Sequence, residues 1–332
     1  MRGFEKYLAL WVAACMGLGL LLSQTIPGLA AAINSWQVRG MSIPIGICLF
    51  LMMYPAMLNV QLSELRKLRS NPKPILITIL SNWIIAPLVA AGLAYLFLRE
   101  NPQLMVAVIL LGASPCTAMV LVWGKLADGN QEQNVVNTTL NTVTMMVLYV
   151  PVVSLLTGLQ NLAIDRVLLA VSAGIFIGVP LLLGIISKQF LVRAKGQSWF
   201  DKVYRPAIGN VATGALLLTL VILFALNGEV LLRHFDQLLL VSVPLLLGFA
   251  IVVGFNLIVT RALGFRYREA IITTIIGSSS HFEIAIASAI AMYGVGSYAA
   301  LGTTMGLFWE VPIMLSLVYL GKALRQRGFW KG

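Results

Sequence analysis

Three side chains in this 332-residue sequence sit where their chemistry is out of keeping with their neighbours. Glu283 lies in Phe282-Glu283-Ile284-Ala285 and Glu310 in Phe308-Trp309-Glu310-Val311-Pro312, both in apolar surroundings. The other ten of the 12 acidic residues fall in loops or at the ends of apolar stretches. An ionised carboxylate at the centre of a bilayer costs about 2.5–3.5 kcal/mol on insertion scales, so such groups face a cavity, carry a proton or pair with a neighbour. The plain alternative for both is a neutral glutamate hydrogen-bonded between helices. The third side chain is Cys116, directly after Gly112-Ala113-Ser114-Pro115. A cysteine at the positive end of a half-helix is a ready ligand for a soft, thiol-seeking solute. Its alternative is a small buried hydrophobe, which is the reading for Cys15 and Cys48. No disulfide framework is implied by three cysteines inside apolar stretches.

Further polar groups accompany these three. His281 occupies, in Gly277-Ser278-Ser279-Ser280-His281, the place that Cys116 holds in its own segment. It is either a group titrating near neutral pH or a structural hydrogen-bond partner. Asn137 and Asn141 stand one turn apart on one helix face, with Thr138 beside them. They either line a site or hold helices together. Ser114 and Ser280 add hydroxyls at the two Gly/Ser-rich segments. The candidate substrate-binding set is therefore Cys116, Glu283, Glu310, Ser114, Asn137, Thr138, Asn141, Ser280 and His281. Glu283 and Glu310 are the candidate proton carriers, and Cys116 is the candidate ligand for a transiently held metalloid. No cofactor is expected.

The elements that must position these residues are membrane helices. The chain is 59% hydrophobic and 11% charged, against about 25% charged residues in a soluble domain. Apolar stretches of about 20 residues, enough to cross a hydrocarbon core, recur along its length. Ten are expected, near 7–27, 41–60, 74–98, 103–127, 134–157, 165–188, 207–227, 237–262, 268–292 and 296–320. Backbone groups cannot go unpaired in lipid, so these stretches are helical and the fold is all-α. The first follows Arg2 and Lys6 but is long for a signal segment, and it is expected to be retained.

The net charge of +11 does not mark a nucleic-acid partner, because its charges are spread over separate loops. The two termini and the loops after spans 2, 4, 6 and 8 hold 19 of the 23 Lys and Arg; the other loops hold four. That asymmetry predicts a multi-pass cell-membrane protein with both termini cytoplasmic.

Laying position 112 on position 277 aligns Gly112-Ala113-Ser114-Pro115-Cys116 with Gly277-Ser278-Ser279-Ser280-His281 and, at the same offset, Thr138-Thr139 with Thr303-Thr304. The offset is half the chain. It predicts two five-span repeats, 1–160 and 161–332, in one membrane domain. Five is odd, so the second copy enters the membrane inverted, as in many secondary transporters. The binding site of that plan lies where paired helices break. Here that means spans 4 and 9, at Gly112–Pro115 and Gly277–Ser280.

The run Gly112-Ala-Ser-Pro-Cys-Thr-Ala-Met-Val120 with Val122-Trp123 resembles the fourth span of the arsenical-resistance permeases, within the bile acid/sodium symporter superfamily. Met53-Tyr54-Pro55, Asn82-Trp83 with Pro87, Phe282-Glu283 and Glu310-Val311-Pro312-Ile-Met-Leu315 are similar to further motifs of that family, in order from about residue 40 to the C-terminus. The resemblance implies ten spans in two inverted repeats, a panel of helices, and a core with two crossed, broken helices. It implies extrusion of arsenite, or antimonite, in exchange for protons. Cys116 matches the family's essential cysteine, Glu283 its membrane glutamate and Glu310 a second acidic position. Where the family reads Asn-Phe-Phe-Glu, this chain has Ser280-His281-Phe282-Glu283.

The nearest rival is a sodium-coupled symporter for an organic anion. Ile275–Ser280 lacks the acidic residue and the Gln-Asn pair of sodium-coupled relatives, which favours the proton. An intramembrane hydrolase with Cys116 as nucleophile and His281 as base would need sulfur and imidazole within about 3 Å; no enzyme activity is expected. A retinal-type receptor lacks its mid-span lysine, since Lys125 lies near a helix end.

Overall fold

The computed structural model describes residues 7–26, 28–38, 41–58, 60, 72–233 and 235–331. The basic residues Arg2, Lys6, Arg39, Arg66, Lys67 and Arg69 of the charge argument lie outside the described residues.

Apolar stretches this long satisfy their backbone groups only within themselves, and the described chain is helical almost throughout. In order it forms α1 (Leu8–Thr25), the short α2 (Leu29–Asn34), α3 (Ile43–Leu58) and α4 (Pro72–Leu98). Next come α5 (Pro102–Gly112), α6 (Met119–Leu126), α7 (Gln131–Leu159) and α8 (Arg166–Lys195). The last are α9 (Arg205–Arg233), α10 (Phe235–Ala262), α11 (Tyr267–Gly277), α12 (Phe282–Tyr293) and α13 (Tyr298–Gln326). Two-residue strands, Gln37–Val38 and Met41–Ser42, form a small hairpin before α3. Among the described residues six helical stretches are long and apolar enough to cross a membrane: Pro72–Leu98, Gln131–Leu159, Arg166–Lys195, Gln197–Leu226, Leu239–Ala262 and Tyr298–Gln326. Leu10–Thr25, Ile43–Leu58, Pro102–Gly112 and Phe282–Tyr293 are shorter apolar helices. This is an integral membrane protein.

Local sequence sets the helix ends. Asn101 caps α5 by accepting from the Leu104 N–H at 3.2 Å. Pro102 follows at the first helical position, where no donor is needed. Asn130, Asp165 and Ser297 cap α7, α8 and α13 in the same way. Wide π turns occur at Ser81–Ile85, Gly174–Gly178 and Phe200–Tyr204. Each is followed, two residues on, by a proline: Pro87, Pro180 or Pro206. A proline ring clashes with the carbonyl four residues back and offers it no N–H. Widening the preceding turn relieves that clash without ending the helix.

The helices sort into two groups. α1 and α3 pack on α9, and α8 packs on α3. α4 packs on α5, α10 and α11; α13 packs on α5 and α12; α6 packs on α7. Contacts of α8 with α7 and α12 join the groups. The second group holds both interrupted helices, α5/α6 and α11/α12.

Candidate functional site

The two interruptions fall where Gly, Ser and Pro predict them, at 113–118 and 278–281, and they bond to each other. Pro115 and Ser280 form an isolated antiparallel bridge. The Cys116 N–H donates to the Ser279 carbonyl at 3.3 Å, and the His281 N–H donates to the Ser114 carbonyl at 2.6 Å. Backbone groups freed by breaking two helices are thus used by each other, which non-helical backbone inside a membrane requires. Both helices that lead into the breaks end in glycine at a close approach. A Cβ on Gly112 would sit 2.2 Å from the Ala90 Cβ, and one on Gly277 would sit 2.9–3.0 Å from the Asn256 amide and the Ser81 Cβ.

Polar side chains hold each break. On α7, Asn141 donates to the Cys116 carbonyl at 3.0 Å and accepts from the Asn82 amide at 3.1 Å. On α13, Glu310 accepts from the Ser279 hydroxyl at 2.5 Å, from the Ser280 N–H at 3.1 Å, and from the Ser280 hydroxyl through its other oxygen. On α10, the Asn256 amide donates to Ser81 (2.8 Å) and Ser278 (3.3 Å), and Ser81 in turn donates to the Gly277 carbonyl at 2.7 Å.

Cys116, Glu283 and Glu310 meet at this crossing, and all three are buried. The Cys116 N–H bonds the Ser279 carbonyl, and the Ser279 hydroxyl bonds Glu310. Ser279 therefore links the Cys116 backbone to Glu310. Glu283 lies in the first turn of α12, where backbone N–H groups favour negative charge. Its Oε2 is 2.7 Å from Nδ1 of His281. Nε2 of His281 is buried without a partner, so the imidazole makes no bond to the Cys116 sulfur and no nucleophile–base pair forms. Among the described residues no group of three His, Cys, Asp or Glu side chains could hold a metal ion.

One expectation shifts by a turn. Cys116 is not in the first turn of a half-helix; α6 begins at Met119. The Cys116 N–H is committed to Ser279, which keeps the chain extended through the break. The remaining candidates divide. Ser114, Ser280, His281 and Asn141 lie at the crossing. The Ser114 hydroxyl is spent on the Leu111 carbonyl at 3.0 Å, ending α5. Asn137 sits one turn below Asn141 and donates to Thr78 at 3.3 Å. The Thr138 hydroxyl bonds carbonyls of its own helix, at Asn134 and Val135.

Beside the breaks lies an open-sided cavity. α4, α5 and α10 line it through mostly apolar side chains, and Asn82, Ser114 and Ser278–Ser280 form its polar wall. Cys116, Glu283 and Glu310 do not line it; Ser279 and Ser280, which do, bond to Glu310 behind them.

Two broken helices paired in a membrane domain, with buried carboxylates and a thiol at the pairing, define a membrane transport protein. The pattern of the sodium bile acid symporter family matches residues 46–234. Over 336 residues the chain is 33% identical to the arsenical-resistance protein Acr3 of Alkaliphilus metalliredigens, covering 97% of this chain and 93% of that one. It is 29% identical over 324 residues to the Acr3 of Corynebacterium glutamicum, covering 95% and 88%. An uncharacterized transporter of Synechocystis is 37% identical over 350 residues, covering 98% and 90%. The chain belongs to the sodium bile acid symporter family as an Acr3-type member.

Proposed function

We propose that this protein extrudes arsenite from the cytoplasm in exchange for protons, with antimonite as a second neutral metalloid hydroxide it accepts. The observation that carries this reading is the convergence of Cys116, Glu283 and Glu310 on the paired breaks. Arsenite near neutral pH is an uncharged trihydroxide, so its movement gains nothing from the membrane potential and uphill export needs a coupled ion. Sulfur is the soft ligand that arsenic(III) prefers. A carboxyl group can bind a proton when it faces outward and release it inside. Glu283 and His281 are in direct contact. We assign the coupled proton to Glu283 and its contact His281. Glu310 is already bound by two serines, which suits it to shape the break around Cys116.

The architecture we assign is ten spans in two inverted repeats, 1–160 and 161–332, with both termini cytoplasmic. The pairing supports this. Pro115 and Ser280, which form the bridge, stand at the same half-chain offset that aligns the two segments. So do Cys116 and His281, and Ser114 and Ser279. The two bridge hydrogen bonds are therefore exchanged by a single two-fold rotation. α5 and α11 are each 11 residues long, and their ends are related by that offset too.

Purified protein in proteoliposomes tests the reading. Radiolabelled arsenite should move against its gradient when a pH gradient alone is imposed. Movement driven by a sodium gradient alone would support the sodium-coupled rival and refute proton coupling.

A further inference from the structure

Three amide side chains share a feature also found singly at Gln103, Gln160 and Asn256, and here they stand together on the first turns of α7. The side-chain oxygens of Gln133, Asn134 and Asn137 are buried and have no hydrogen-bond donor. Their NH₂ groups are all in use. Gln133 donates to the Glu269 carbonyl (3.3 Å) and Thr273 (3.0 Å), Asn134 to the Val120 carbonyl (3.1 Å), and Asn137 to Thr78 (3.3 Å). Carbonyl oxygens accept only. Thr78 spends its proton on Pro74 at 2.9 Å, so it too must accept from Asn137. These bonds fix every amide orientation, and what remains is a set of bare acceptors.

A fourth buried oxygen joins them. The Thr117 hydroxyl, in the break beside Cys116, also has no partner. Residues 116–120 are pinned along α7 by Asn141 at Cys116 and by Asn134 at Val120, so Thr117 lies between those pins. From Gln133 to Asn141 the helix rises about 12 Å, a large part of a half-bilayer. The row begins beside the basic loop, where the Asn130 N–H donates to the Arg268 carbonyl at 2.8 Å. Along α4 its partners Pro74 and Thr78 come before the Ser81–Ile85 π turn, and the cavity residues Ala86, Val89 and Ala90 come after it. The row and the open cavity therefore lie on opposite sides of the crossing.

A buried acceptor without a donor is costly and calls for an occupant. Along the three amides an anion would meet lone pairs, with the Thr117 hydroxyl the one group free to donate. A neutral solute carrying several hydroxyl donors is the chemical match. Resting on the arsenite reading above, we propose that Gln133, Asn134, Asn137 and Thr117 form an acceptor-lined access route by which a metalloid trihydroxide reaches Cys116 from the basic face. Each hydroxyl donates in turn to an amide oxygen, and the solute arrives at the sulfur without an anionic intermediate.

The test is the concentration dependence of arsenite uptake into energised inside-out membrane vesicles. Thr117→Val keeps the side-chain volume and removes an oxygen that bonds to nothing in the protein, so expression and thermal stability should be unaffected. The KM for arsenite should rise about fivefold, the equivalent of one neutral hydrogen bond of about 1 kcal/mol, with the maximal rate kept. Thr117→Ser should restore the wild-type KM, and Asn137→Leu should raise it as Thr117→Val does. Wild-type uptake with an unchanged KM in both Thr117→Val and Asn137→Leu overturns the route alone and leaves a row that holds only water. No arsenite uptake by the wild type overturns the arsenite reading and the route with it.

Discussion

Replacing Glu310 in two ways separates its structural work from any proton it carries. Three hydrogen bonds end on this carboxyl group: the Ser279 hydroxyl and the Ser280 N–H on Oε1, and the Ser280 hydroxyl on Oε2. Glutamine can keep all three. Its oxygen accepts the first two, and its NH₂ donates to the Ser280 hydroxyl, which can turn to accept. Alanine keeps none and leaves the half-buried Ser280 N–H without its partner. Each bond to a neutral group contributes about 1 kcal/mol, and an orphaned buried donor costs about 1–3 kcal/mol. Glu310→Ala should therefore lose about 3–5 kcal/mol, and Glu310→Gln about 1 kcal/mol or less. The assay is thermal unfolding of the detergent-solubilised protein, followed by size-exclusion chromatography. The prediction is a large drop in midpoint for the alanine variant and a small one for glutamine. Equal stability of the two variants would refute the assignment of Glu310 as the clamp on the ninth-span break.

Other outcomes follow from the same geometry. Cys116→Ser should abolish metalloid resistance at normal expression, because serine keeps the size and loses the soft ligand. Cys15→Ser and Cys48→Ser should retain resistance, because neither sits at the crossing. Growth on arsenite with immunoblotted expression checks all three, and full resistance of Cys116→Ser would show that its sulfur is dispensable. Gly112→Val should prevent the breaks from pairing, since even a Cβ there falls 2.2 Å from the Ala90 Cβ. Its readout is loss of folded protein in size-exclusion chromatography. A well-folded, active variant would mean that the helices need not approach this closely.

Much of this site is legible from residue types. Gly112, Pro115 and Gly277 locate the breaks because a helix without donors or with close neighbours needs them, and Glu283 and Glu310 stand out against apolar sequence. The half-chain offset identifies the two segments that bond to each other. What joins distant segments is not legible. Ser81 reaches Gly277 across 196 positions, and Asn256 reaches Ser81 across 175. Asn256 did leave a signal, as an amide inside the apolar run Gly254-Phe255-Asn256-Leu257. Ser279, which ties the Cys116 backbone to Glu310, could not be told from its serine neighbours, because orientation at a break is decided by the partner strand. The π turn that presents Ser81 and Asn82 is foreshadowed by Pro87, but a proline signals a disturbed turn without saying which residues it turns inward.

The claim that ties structure to transport is that the Glu283–His281 pair carries the coupled proton while Cys116 carries the arsenite. Glu283→Gln fixes the side chain in a form that cannot release a proton and leaves Cys116 untouched. In proteoliposomes two rates are measured on one preparation: arsenite exchange at equal pH on both sides, and arsenite accumulation driven by a pH gradient. The account predicts that Glu283→Gln retains exchange and loses gradient-driven accumulation. Accumulation at the wild-type rate would contradict it and assign the proton elsewhere.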